Sequence, residues 1–165
     1  MKVHTIDLGF QGHPNAIAAF LLEGPAGPVL IETGPESTRE SLLASLAERG
    51  VAPEELTAVL VTHIHLDHAG AAGWFAERGV PLYVHEKGAK HLVDPTGLIE
   101  SARGVYGEQF DSLWGEMTPA PESRVHALAG GETIECGGLS MAVLATPGHA
   151  FHHHAYQVGD TVFAG

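Results

Sequence analysis

Residues 58–68 run AVLVTHIHLDH, and no other stretch narrows the possible folds as much. Four consecutive apolar residues entering a polar stretch read as a short buried strand, here one that delivers three imidazoles and a carboxylate at its exit. Histidine is a middling helix former and an uncommon core residue, so this density asks for a chemical reason rather than a packing one. In an extended segment residues i and i+2 point the same way, so His63 and His65 can face one ion together. Asp67 and His68 follow where the chain turns into AGAAGWF, and their side chains can project toward a neighbouring spot.

Two histidines are an incomplete set, because catalytic zinc usually takes three protein ligands and leaves one position open. The third is expected from TPGHAFHHH, residues 146–154, where a Pro-Gly turn after the strand-like LSMAVLAT places His149 in a loop. Seven of the twelve histidines (63, 65, 68, 149, 152, 153 and 154) fall in these two windows, a clustering that even scatter would not give. Consecutive residues of a strand alternate faces, so His152, His153 and His154 cannot all address one ion, and His152 and His154 are expected to be strand residues.

Around these windows the pattern is mixed. AIAAFLLE (16–23) and VLIET (29–33), separated by GPAGP, predict a hairpin. Ser37 with Glu40, the leucines at 42, 43 and 46, and Gly50 predict a helix opened by a capping box. A short helix over 69–79, a strand over 80–85 and a long helix over 97–117, bent at Gly104 or Gly107, come next, with His85 and Glu86 simply ending the strand. Tyr106, Phe110 and Trp114 recur at helical spacing and are expected in the core, a lid or dimer surface being the alternative. Beyond Pro119 only strands are predicted: RVHAL, TIE, LSMAVLAT, HHAYQV and TVFAG. The 165 residues suggest one α/β domain spanning 1–165. Nothing after residue 118 looks helical, so one face of the last sheet is expected to lack cover, as in part of a longer product or a chain completed by another.

Eight Lys and Arg against 20 Asp and Glu give a formal charge of −12, which repels phosphate backbones and anionic membranes. Nucleic acid and membrane are therefore not expected as partners; a small-molecule substrate is. No stretch reads as a membrane span or a secretory signal, and the single cysteine, Cys136, can form no intramolecular disulfide, so a cytoplasmic protein with a structural thiol is expected.

THIHLDH matches the HxHxDH signature of the metallo-β-lactamase superfamily, and the TPGH loop about eighty residues later and the hairpin ending in TG fit the same family. The sequence resembles that family over nearly its whole length. The resemblance implies an αββα sandwich, here lacking its C-terminal part, with His63, His65 and His149 on a first metal and Asp67 and His68 on a second. It implies hydrolysis of an ester, thioester, lactone or phosphoester by metal-activated hydroxide, with Asp67 orienting the water and taking its proton. Zinc, two ions in a complete site, is the first expectation; iron and manganese accept similar ligands. His153 matches a position near the metals, and Glu32 stands where relatives carry aspartate, so both are expected behind the ligands. The family's bridging aspartate would come next after Gly165, and its last histidine is missing too. An iron-dependent sulfur dioxygenase of the same superfamily, and an inactive metal-binding fragment completed by another chain or by a homo-oligomer, are the alternatives.

Overall fold

Two sheets face each other across an apolar layer, with the helices on one side only. The computed structural model describes residues 1–165. The first sheet has the order β1 (Lys2–Asp7), β2 (Ala18–Gly24), β3 (Gly27–Ile31), β4 (Ala58–Leu60), β5 (Leu82–His85), β6 (Val125–Leu128). β1 to β3 form an antiparallel meander, and β3 to β6 run parallel. Parallel neighbours need long crossovers, and these carry every helix: α1 (Arg39–Glu48), then α2 (Leu66–Ala69) and α3 (Ala72–Glu77), then α4 (Glu86–Val93), α5 (Thr96–Tyr106) and α6 (Phe110–Leu113). Alternation along the central strands explains their unbroken apolar sequence. Leu30 and Val59 face the helices, while Val29, Ile31, Ala58 and Leu60 face the second sheet.

That second sheet is antiparallel, in the order β10 (Thr161–Phe163), β9 (His154–Val158), β8 (Leu139–Ala145), β7 (Thr133–Cys136). Met141, Val143, Tyr156 and Phe163 point inward onto β3 and β4. The buried Tyr156 hydroxyl donates to the Val61 carbonyl at 2.9 Å, and the His154 amide donates to the Thr62 carbonyl at 2.8 Å. Those two bonds fasten the second sheet to the exit of β4. The outer face carries Ala142, Leu144 and Val162, the last 51% exposed, with no helix over it. Three layers, α-β-β, are thus present, and no helix is long and apolar enough to cross a membrane.

Several expectations need correcting. RVHAL joins the first sheet as β6, because the crossover from β5 returns it parallel to that strand. The long helix at 97–117 is broken into α5, a 3-10 turn at Gly107–Gln109, and α6; Gly107 adopts φ +54, outside any helix, whereas Gly104 stays helical. EKGAKHLV forms α4 with His85 as its N-cap, its ring accepting from the Lys87 amide at 3.1 Å. The capping box at α1 does not form: Ser37 donates to the Leu113 carbonyl, and a 3-10 turn precedes the helix. β1 is an additional strand, and β9 begins only at His154, leaving His152 in a loop. The aromatic stripe divides, with Phe110 fully buried, Trp114 half-buried and Tyr106 38% exposed. Cys136 is a buried free thiol whose pKa burial pushes up.

Candidate metal centre

The site begins where β4 ends. After Leu60 the chain bends at Thr62 and His63 and then turns into α2, with His65 as the flanking residue (φ −62, ψ 152). His63 is buried, and its Nδ1 lies 3.0 Å from the Thr62 hydroxyl, while its Nε2 is buried with no partner at all. An imidazole whose Nδ1 hydrogen goes to Thr62 presents a free lone pair at Nε2. Ligating histidines are held in this way from behind.

The loop between β8 and β9 closes over this point. His65 Nδ1 and His149 Nε2 stand 3.0 Å apart, and one ring nitrogen each from His63, His65 and His149 lie within 4.8 Å of one another. Burial first, then the neighbouring imidazoles His68 and His65, drives the His63 pKa down to about 2. Burial and His149 lower that of His65. Both rings are therefore neutral at ordinary pH, the form that binds a cation. A buried histidine with a partnerless ring nitrogen, converging with His65 from its own segment and His149 from a distant loop, gives a donor set that a zinc-like ion fits.

Asp67 and His68 stand beside the trio. His68 Nε2 is 3.3 Å from Asp67 Oδ2, and its Nδ1 is 3.4 Å from Glu32 Oε2, an ion-pair distance without good hydrogen-bond alignment. Burial works against a charge on His68, but the carboxylates of Asp67 and Glu32 beside its ring outweigh it and raise its pKa to about 10. For Asp67, burial raises the pKa while the bond to His68 and that ring's charge lower it further, so the carboxylate is ionised. Glu32 Oε1 also accepts from the Thr62 amide at 3.1 Å, so this residue braces both the strand exit and the ring of His68. His153 bonds Thr146 through Nδ1 at 2.8 Å, its ring 4.9 Å from that of His63.

The sequence reading passed over three contributors. Thr62 holds His63, and Thr33 holds the α2 turn, its amide donating to the His68 carbonyl at 2.8 Å and its hydroxyl at 3.0 Å. His152 is also buried, its ring 5.8 Å from His65. A threonine at a strand exit is a weak signal, and only the parallel β3–β4 pairing brings residues 32–33 to the motif. Two cavities open here. One of about 410 Å³ touches His63, Asp67, His68, His149 and His153; another of about 440 Å³ runs from His65, Asp67 and His149 along α5.

Known proteins resemble this chain over most of its length. The profile of the metallo-beta-lactamase superfamily matches residues 13–165. Metallo-beta-lactamase domain-containing protein 1 of Mus musculus is 49% identical over 140 residues, 85% of this chain and 49% of that protein. Hydroxyacylglutathione hydrolase of a Synechococcus species is 33% identical over 154 residues, 88% of this chain and 49% of that enzyme. Among solved structures, an archaeal metallo-beta-lactamase superfamily protein of Sulfolobus tokodaii superimposes with a TM-score of 0.80 at 26% identity, covering 98% of this chain and 62% of that one. The chain spans about half to three-fifths of the length of these relatives.

Proposed function

The chain belongs to the metallo-β-lactamase superfamily, and from that premise we propose that it acts as a metal-dependent hydrolase of an ester, thioester, lactone or phosphoester bond. The observation that carries this reading is the convergence of ring nitrogens from His63, His65 and His149, with His63 Nε2 buried and partnerless, beside an ionised Asp67. His63, His65 and His149 would hold one divalent ion, zinc by preference of donor type, and Asp67 and His68 would hold a second. A bound ion of this kind lowers the pKa of water toward neutrality and polarises a carbonyl or phosphoryl oxygen.

The chain's own residues do the rest. Thr62 and Glu32 fix the rings of His63 and His68 from behind, so little reorganisation is left for the reacting complex. Asp67, which borders both cavities, accepts a hydrogen bond from water and orients it toward the substrate. His153, tied to Thr146, borders the same cavity as His63, Asp67 and His68. Relatives named as hydrolases support the same reaction type. No serine or cysteine nucleophile is needed.

The test joins metal quantitation to a hydrolysis screen over lactones, thioesters, phosphodiesters and β-lactams. Bound zinc with turnover on one class is the expected result. His63→Ala is expected to lose bound metal and at least a hundredfold in turnover; full metal retention by that variant would remove His63 from the ligands. Iron at unit stoichiometry with oxygen uptake would turn the reading toward a dioxygenase.

A further inference from the structure

Helix α5 has an apolar stripe that rests on the core at Leu98 and Ala102 and also borders a cavity. Leu98, Ala102 and Val105 recur at i, i+4 and i+7, the spacing of one helical face, yet no residue of α5 is buried. The stripe lines the cavity of about 440 Å³ that ends at His65, Asp67 and His149. Its volume falls in the range of small-molecule sites. Trp114 forms the opposite wall. It is held by stacking on Phe10, with ring centroids 5.4 Å apart, and by an edge contact from Tyr106 at 5.2 Å.

The charges of this cavity are as informative as its shape. Asp67 is the only acidic residue that lines it, and no lysine or arginine does. Arg103, the one cation of α5, is turned away: it bonds Asp111 at 2.8 Å and lies 4.3 Å over the ring of Phe110. Away from the corner where the ions would sit, a phosphate or carboxylate in the cavity would lose its hydration without gaining a counter-charge, against a formal charge of −12 on the chain. An alkyl or aryl group would gain from leaving water.

Resting on the hydrolase reading above, we propose that Leu98, Ala102, Val105 and Trp114 are its specificity-determining residues and accept an uncharged, apolar acyl group. The substrates are then carboxylic esters, thioesters or lactones with a hydrophobic acyl chain. The acyl chain lies along α5, and its carbonyl reaches the corner between His65, Asp67 and His149.

Binding can be read without turnover, because Trp114 borders the cavity and the chain has only one other tryptophan, Trp74, which lies under Arg78. In a Trp74→Phe protein, emission from Trp114 is titrated with the uncharged acyl amides butanamide, hexanamide and octanamide. Affinity is expected to rise roughly fourfold per added methylene. Val105→Asp, at a position 75% exposed and so harmless to folding, is expected to abolish that rise, as is Ala102→Trp, which fills the cavity. In parallel, KM for acyl thioesters should fall from butyryl to octanoyl, and Val105→Asp should raise the octanoyl KM with kcat unchanged. Affinities flat across the series, or a slope kept by both variants, would overturn the proposal. A slope without hydrolysis leaves the subsite standing and removes the hydrolase; hydrolysis indifferent to chain length with no slope does the reverse.

Discussion

Glu32 sits at φ +64, the left-handed region where a long side chain is strained by about 1–3 kcal/mol. What holds it there is its carboxylate, fixed between the Thr62 amide and the ring of His68. In metal-free protein His68 is therefore expected to stay protonated through neutral pH. Its folded pKa is raised to about 10 against 6.5, so its stabilising contribution is complete below pH 6.5 and disappears as pH rises through 10. Glu32→Gln keeps the shape and removes the charge. The His68 midpoint, followed by NMR, should fall by about one unit or more, with a loss of about 1–3 kcal/mol at pH 7 that fades above pH 10. An unmoved midpoint would mean that Asp67 alone keeps the proton. Spacing exposed His63 and His65 because i and i+2 share a face, and clustering exposed His149. Glu32 was visible only through family resemblance, since its contact with residues 62 and 68 spans thirty positions and depends on strand pairing.

At the scale of elements, the motif keeps its direction because α2 packs against backbone. A Cβ on Gly70 would lie 2.7 Å from Pro35 Cα and 2.8 Å from the Glu36 nitrogen, neither of which can give way. Gly70→Ala is expected to destabilise by about 1–3 kcal/mol, lowering Tm by roughly 2–4 °C for each kcal/mol. Gly97→Ala, with nothing within 4 Å, should leave Tm unchanged or slightly higher. Equal losses in a thermal melt of the two variants would disprove the packing argument. The glycines and alanines of AGAAG were read as one short helix, but they mark a crossing of chains that periodicity cannot register. The strands buried on both faces were legible from their apolar runs. Helix α4 was not, because the glycine in its first turn, Gly88, is there for close approach: a Cβ would meet Ile64 at 2.7 Å. β1 was missed because only Ile6 of its six residues is buried.

Taken whole, the molecule stores several imidazoles in neutral form between its sheets and at its metal corner, and acid should exploit this. Burial, then neighbouring histidines, lowers the pKa of His63 to about 2 and that of His154 to about 4, while an unfolded chain protonates near 6.5. These are depressed folded values, so stability is intact above pH 6.5 and is lost as pH falls below it. Each group contributes a slope of about 1.4 kcal/mol per pH unit, so the pair removes roughly 3 kcal/mol per unit down to pH 4. Against a typical total of about 5–15 kcal/mol that is decisive. His68 gives no relief, since its own contribution is already complete at pH 6.5. Chelator-treated protein should therefore unfold cooperatively, by circular dichroism, at about pH 4–5, before most carboxylates protonate. His154 stacks on His85 at 4.5 Å with both ring nitrogens buried and partnerless, so His154→Leu removes an unsatisfied polar group together with one proton taken up on unfolding. The acid midpoint should move down by about half a unit or more, with stability at pH 7 unchanged or higher, while His126→Gln at an exposed position moves neither. An unshifted midpoint in His154→Leu would place the acid sensitivity in the carboxylates instead.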